Sequence, residues 1–522
     1  MNNQNNLYYQ QQPMMQQPQG AMPPRMPLQH RMTKGARAIQ NVFPKWLSTY
    51  PIVTYILALM VVSFMYSSHS MPWYYMLSGV LAMLVFFLLG STFATRNSVD
   101  NIRKERRFER RIFLIAFIPR MMFMLLLYWI FQANYGDAFG FENGDALVYH
   151  ETGEYVAGLI AKGNFHFYDE LSRYLGIEDI ADMGFDVYLG FVYYLTDNSI
   201  IASRILKCIW SSLTVVLIYR LTKRNFGDQV ARYAAIFCAL WINFWYYCAV
   251  ELKETEMVFV CTLFIEQADQ MLRSRKFTAW KVVPVLILAA SLFTFRTVLG
   301  IVAIMALLFS IVMSSTKVVS WGKRIIVGGL AVTLVLVTMG NQIEERTRDL
   351  YEQAQSKSQE ENMEWRANRK DLGGTTQSFA KYAGAAVFAP MIFTLPFPTM
   401  VDVIAGQEKQ QLQNGGYFTK NILSCFVIFA VVMLMLTGKW REHLLPLSFI
   451  IGYLVVLVMS NFAHSDRFHQ PVMPFEFMFA AYGLSIAVTN KKYKRWFLYG
   501  CIVMFIAALA WNWFKMAGRG LA

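Results

Sequence analysis

Apolar residues along this chain gather into runs of about 17 to 23, the length a helix needs to cross a hydrocarbon core about 30 Å thick. A spanning segment must satisfy its own backbone hydrogen bonds, so the runs predict helices rather than isolated strands. About thirteen spans are expected on this count. The first two, near 52–68 and 73–95, form a hairpin, and a third covers 112–132. Five follow near 199–219, 229–249, 255–272, 280–296 and 298–315, then a ninth near 325–340. The last four fall near 421–437, 443–461, 471–489 and 496–514. Two long polar interruptions remain, 133–197 and 341–418. The expected fold is therefore all-α: a polytopic transmembrane helix bundle with two large external loops.

Charge orients the bundle. Lys and Arg concentrate in 96–111, at Lys223-Arg224, in 273–276, in 317–324, around Lys439 and in 491–495. With the spans above, all these turns lie on one side, which is the cytoplasmic side by the positive-inside rule. Loop 133–197 holds twelve acids against Lys162 and Arg173 and lies outside. Residues 1–50 read as a disordered Gln- and Pro-rich cytoplasmic segment ending in a basic patch (Arg31, Lys34, Arg37, Lys45). Residues 51–111 make the N-terminal hairpin with its basic loop, 112–340 a catalytic-type membrane module, and 419–522 the C-terminal helices. Loop 341–418 is expected to open as a charged helix, Glu344 to Lys370, and to pass into the apolar, Pro-rich segment 389–398.

Composition agrees: the chain is 56% hydrophobic, and its mean hydropathy is +0.33. Its net charge of +14 does not imply nucleic acid, because the basic residues are scattered between spans instead of forming one continuous face. The six cysteines lie in or beside apolar runs without metal-ligand spacing, and read as small buried side chains.

Candidate chemistry sits at the external ends of the spans. Asp145 opens an amphipathic stretch in which Val148, Thr152, Tyr155, Val156, Leu159 and Ile160 share one face, so a helix lying on the membrane surface is expected. Asp145 is either its N-cap or a reactive carboxylate. His150 and Glu154, four apart, share the opposite face and make either a solvated surface or part of a metal site. Glu251-Leu252-Lys253-Glu254 puts a cation beside carboxylates in a tight turn that is either simply solvated or faces the first external loop. Arg296 lies between two apolar runs, where an arginine has either an anion to bind or a structural ion pair to make. Arg467 and His469, in the turn before the twelfth span, offer donors for a phosphate.

Four segments together resemble the GT-C superfamily of membrane glycosyltransferases, including its protein O-mannosyltransferase and aminoarabinose transferase branches. Gly144-Asp145 with His150 resembles the catalytic-aspartate loop. Ser203-Arg204-Ile205 through Tyr219-Arg220-Leu221, with Asn225-Phe226-Gly227 and Val230-Ala231-Arg232, is similar to the family's helix–turn–helix. Lys253-Glu254 resembles its lysine–acid pair, and Arg467 through Pro474 its late Arg…Pro…Pro turn. The likeness covers roughly residues 112–490, with two extra spans ahead of the catalytic loop. Where many members carry Asp-Glu, Ala146 follows Asp145, so Asp145 acts alone or with Glu142.

The resemblance implies a polyprenyl-phosphate sugar donor held by membrane lipid, with transfer to an acceptor on the non-cytoplasmic face during cell-envelope glycan or glycoconjugate synthesis. Asp145 would be the base. Glu142, His150, Glu251, Lys253, Glu254, Arg296, Arg467 and His469 would bind substrate. No metal site is assigned, although the acidic loop can accommodate a divalent cation. The expected location is the bacterial inner (plasma) membrane, with a cytoplasmic N-terminus. A polysaccharide repeat-unit polymerase, or a transporter or flippase for lipid-linked sugars, is the competing reading. Transport expects ionisable groups within several spans, whereas most charges here fall at predicted span ends.

Overall fold

A computed structural model describes residues 45–68, 102–140, 144–176, 183–274, 279–314, 393, 400–401, 408–459, 466–489 and 491–517. The expected span near 73–95, the ninth span, Glu142 and most of 341–418 lie outside the described residues, as do the first 44 residues.

The described elements are helices throughout: α1 (Lys45–Met65), α2 (Ile102–Tyr135), α3 (Asp145–Ala161), α4 (Phe167–Leu175), α5 (Met183–Thr196), α6 (Ile200–Phe226), α7 (Asp228–Leu240), α8 (Ile242–Cys248) and α9 (Glu254–Arg273). Then come α10 (Ala279–Phe295), α11 (Thr297–Met313), α12 (Glu408–Leu436), a 3-10 turn (Lys439–Glu442), α13 (Leu444–Met459), α14 (Asp466–His469), α15 (Met473–Thr489) and α16 (Lys491–Ala517). Among them, α2, α6, α12 and α16 contain stretches long and apolar enough to cross a membrane, and α1, α10, α11, α13 and α15 are shorter apolar helices. The chain is a polytopic helical membrane protein.

The helices pack in a chain of neighbours: α2 on α6, α6 on α7 and α9, α9 on α10, α7 on α15, α15 on α12, and α11 on α13. The core between them is continuous, from Phe237 and Trp241 through Phe264 and Phe426 to Phe477. Exposed Met122, Trp129, Ile287, Met305 and Ile506 give the outer surface the apolar character of a lipid contact. All six cysteines are buried free thiols.

One expectation needs correction. The single span near 229–249 is broken: α7 stops at Leu240, Trp241 is extended (φ −71°, ψ 117°), and α8 begins at Ile242. Not every charge lies at a span end. Arg120 lies within α2, and Lys207 lies inside α6; both are fully buried. Each is satisfied by protein groups, as an apolar solvent demands. Arg120 reaches Ser211 and three carbonyls, while Lys207 reaches the Leu252 carbonyl and stands 3.5 Å from Glu256.

At one end of the bundle an ion-pair network ties α6, α9 and the 3-10 turn together. Arg224 donates to Glu266 and, at 2.9 Å, to Asp269. Arg273 donates to Asp269 at 2.9 Å, to Asn225 and to the Glu442 carbonyl. The chain turns there at Gly227, whose φ of 92° and ψ of 172° only glycine adopts easily. His443 packs on Phe226 and lies 2.9 Å from Asn225; burial and the nearby Arg273 lower its pKa to about 3.

Asp269 serves two guanidinium groups at once. Asp269→Asn should cost about 3 kcal/mol, since removing one partner of a buried ion pair leaves Arg273 without its carboxylate and Arg224 with Glu266 alone. The check is the thermal midpoint in detergent, which should fall by several degrees.

Candidate functional site

At the opposite end, residues 144–176 and 183–196 fold into α3, α4 and α5. Helix α3 lies against α5 through Thr152, Gly153, Val156 and Ile160. Val148, expected on the packed face, is instead about half exposed. The two helices come close because Gly190 has no side chain: a Cβ there would stand 2.3 Å from the Val156 methyl. The Thr152 hydroxyl lies 2.6 Å from Asp186, whose carboxyl is pushed up to about 7 by burial, against the opposing effect of that hydrogen bond. Residues Asp197 and Asn198, both with positive φ, turn the chain sharply into α6. Asp and Asn tolerate that conformation better than most residues.

This packing fixes the start of α3. The cap position belongs to Gly144, so Asp145 is the first helical residue and its carboxylate is not the cap. Its side chain is 61% exposed and accepts a hydrogen bond from Arg467 Nη1. Arg467 is carried on the short α14. Its Nε donates to Glu254, which is fully buried at the start of α9. One guanidinium therefore joins segments from three distant parts of the chain. Burial works against its charge, but Glu254, Tyr149 and Asp145 together raise its pKa above the ordinary value.

Helix α9 begins here for a physical reason. Lys253 takes the cap position, and Glu254 and Glu256 fill the first turn, where carboxylates complement the helix dipole. The Lys253 ammonium stands 5.8 Å from the centre of the Tyr149 ring, which belongs to α3. Burial and the nearby Arg296 lower its pKa to about 7, with Glu254 opposing, Arg467 adding to the fall and Asp145 opposing. The turn 251–254 is buried, so it is not the solvated turn its composition allowed.

Arg296 is the single extended residue (φ −166°, ψ 112°) between α10 and α11. Its guanidinium lies 4.5 Å over the Phe468 ring, next to Arg467, and donates to the Tyr453 hydroxyl at 3.2 Å. Asp145, Lys253, Glu254, Arg296 and Arg467 thus form one centre.

The other sequence candidates lie elsewhere. Both ring nitrogens of His150 have neighbours: Nδ1 is 2.8 Å from the Tyr193 hydroxyl and Nε2 is 3.5 Å from Glu154. Buried Glu251 accepts from Ser203 at 2.6 Å and from Arg204 Nε at 3.2 Å. Arg204 also donates to the Ala138 carbonyl, which braces the loop ahead of α3. His469, two residues beyond Arg467, is buried with Nδ1 3.0 Å from the Lys420 ammonium. Among the described residues, no group of three or more His, Cys, Asp or Glu side chains is arranged to hold a metal ion.

The sequence reading missed Arg120, Lys207, Glu256, Lys420 and Asp186. For Arg120 and Lys207 the signal was available, since each is an ionisable residue inside an apolar run, the same signal that marked Arg296. For Asp186 there was none, because it is one of twelve acids in its loop.

No curated protein matches the chain, and no solved structure does. A family model does match. It covers residues 184–339 and takes in Lys253, Glu254 and Arg296, while Asp145 and Arg467 fall outside it. That stretch is similar to the family described as dolichyl-phosphate-mannose-protein mannosyltransferase.

Proposed function

We propose that the chain is an integral membrane glycosyltransferase that moves a sugar from a polyprenyl-phosphate-linked donor to an acceptor on the non-cytoplasmic face, in cell-envelope glycan or glycoconjugate synthesis. The observation that carries this reading is the centre itself: one exposed carboxylate, Asp145, close to three cations, Lys253, Arg296 and Arg467. The name of the matched family adds support for a polyprenyl-phosphate donor.

The chemistry follows from the charges. An acceptor hydroxyl attacks the anomeric carbon while Asp145 takes its proton. The bond from that carbon to the donor phosphate oxygen breaks, and the phosphate leaves with the electron pair. Fixed cations stabilise the departing charge best when they need not reorganise. Arg467 is held for this by Glu254, and Arg296 by Tyr453 and Phe468. The donor phosphate competes with Asp145 for Arg467 and frees the carboxylate as the donor binds. Direct displacement inverts the anomeric centre.

Buried cations within the spans do not favour transport. Arg120 and Lys207 are committed to carbonyls and side chains of the fold.

Incubating the detergent-purified chain with a panel of radiolabelled polyprenyl-phosphate sugars tests the reading; consumption of none of them would overturn it. With an active donor in hand, Asp145→Asn should lower turnover by about 10²- to 10⁴-fold, the usual contribution of a general base. Insertion should remain normal, and near wild-type turnover would remove Asp145 from the mechanism. Arg296→Ala should reduce donor use by about 10²-fold, as loss of a charge-stabilising donor does, whereas Arg37→Ala should have little effect. Donor affinity should also depend on pH. With its pKa lowered to about 7, Lys253 is charged below that pH and neutral above it, so affinity should fall as pH rises from 6 to 8. Equilibrium binding of labelled donor across that range is the check.

A further inference from the structure

Arg120 has no place in the chemistry above, yet it is among the most heavily bonded side chains in the bundle. It lies within α2 and is fully buried. Its Nε donates to Ser211 Oγ at 2.8 Å, Nη1 to the carbonyls of Ala116 (2.8 Å) and Ala239 (2.9 Å), and Nη2 to the carbonyl of Cys238 (3.1 Å). An arginine at this depth costs about 2.5–3.5 kcal/mol on insertion scales. A straight span in place of α7 and α8 would need no such residue.

The two carbonyls at 2.9 and 3.1 Å explain it. They belong to the last turn of α7, just before the break at Trp241. Ending a helix leaves its final carbonyls without intrahelical partners, and in a bilayer no water replaces them. Arg120 supplies the donors, and the Trp245 indole adds another to Ala239 at 3.0 Å. Its positive charge also suits the negative end of the α7 dipole.

Beyond the break, the chain leads to the reactive centre. Helix α8 packs against α2, α6 and α12. The Thr255 hydroxyl donates to the Tyr247 carbonyl at 3.0 Å, and Lys207 holds the Leu252 carbonyl, so the course of α8 sets the course of residues 249–255. A second link runs through Ser211. Ser211, whose hydroxyl Arg120 holds, lines a small cavity together with Tyr247, Glu254, Thr255 and Gln470. One oxygen of the Glu254 carboxylate, Oε2, is buried there without a hydrogen bond.

We propose that Arg120 is a positioning residue: by holding the chain open at Trp241, it sets the depth and direction at which Lys253 and Glu254 enter the reactive centre. This rests on the reading of that centre as a transferase site, but its test does not need substrate.

The rate at which acetic anhydride acylates Lys253, followed by site-resolved mass spectrometry between pH 5 and 10, reports where that amine titrates in the folded chain. The wild-type midpoint is expected near the value of about 7 given above. In Arg120→Gln and Arg120→Lys, the amine should be less buried and its midpoint should rise by about 1 unit or more toward the ordinary lysine value. An unchanged midpoint in a folded variant overturns the proposal, because a merely structural role would lower yield and thermal stability while leaving the folded fraction with the same titration. Where Arg120→Gln does not accumulate, Arg120→Lys decides. A raised midpoint in a chain that consumes no polyprenyl-phosphate sugar would uphold the positioning role and remove the transferase reading. Turnover of a donor together with an unchanged midpoint would do the reverse.

Discussion

The Arg467 guanidinium is the joint on which the candidate site depends. Three segments meet there: the first turn of α3, the first turn of α9 and the short α14. Two of them begin with carboxylates that would repel one another without it. Arginine suits the position because its planar fork offers separate donors to separate acceptors and keeps its charge at any physiological pH. A lysine would present a point charge and could not hold two carboxylates at fixed angles. Around this joint the remaining cations are arranged with their own supports, Arg296 on an aromatic ring and Lys253 facing another.

The same requirement, that each charge find a partner within the protein, organises the interior. One end is laced by Arg224, Asp269 and Arg273, the middle by Arg120, and the half nearer the candidate site by Arg204, Lys207, Glu251 and Glu256. These groups hold helices in register where apolar packing alone would leave many sliding arrangements. They also allow a break in mid-span, which a continuous apolar helix has no means to satisfy.

Much of the fold was legible in the sequence, because bilayer thickness imposes a length on apolar runs and most described helices fall where the runs do. Where the expectation failed, a side chain far away in sequence was responsible. Nothing near Trp241 announces a break, since the donors that permit it come from α2. The convergence of Asp145, Lys253, Arg296 and Arg467 was foreseeable as a set of charges at predicted outer ends. Their pairings were not, because a carboxylate beginning a helix reads equally well as a cap. His150 and Glu251 are the reverse case. Both have the right residue type and the right neighbourhood in sequence, but packing turned them toward Tyr193 and Arg204.

The two arms of the Arg467 fork differ in one respect that matters beyond the chemistry. The Asp145 carboxylate stands largely in solvent, while that of Glu254 is sealed off. Mobile ions weaken attraction between exposed charges and scarcely reach buried ones. Salt therefore acts on the fork unequally: a concentrated electrolyte loosens the grip on the loop helix while the grip on α9 holds. Ionic strength becomes a handle on the entrance alone, separable from the integrity of the bundle beneath it.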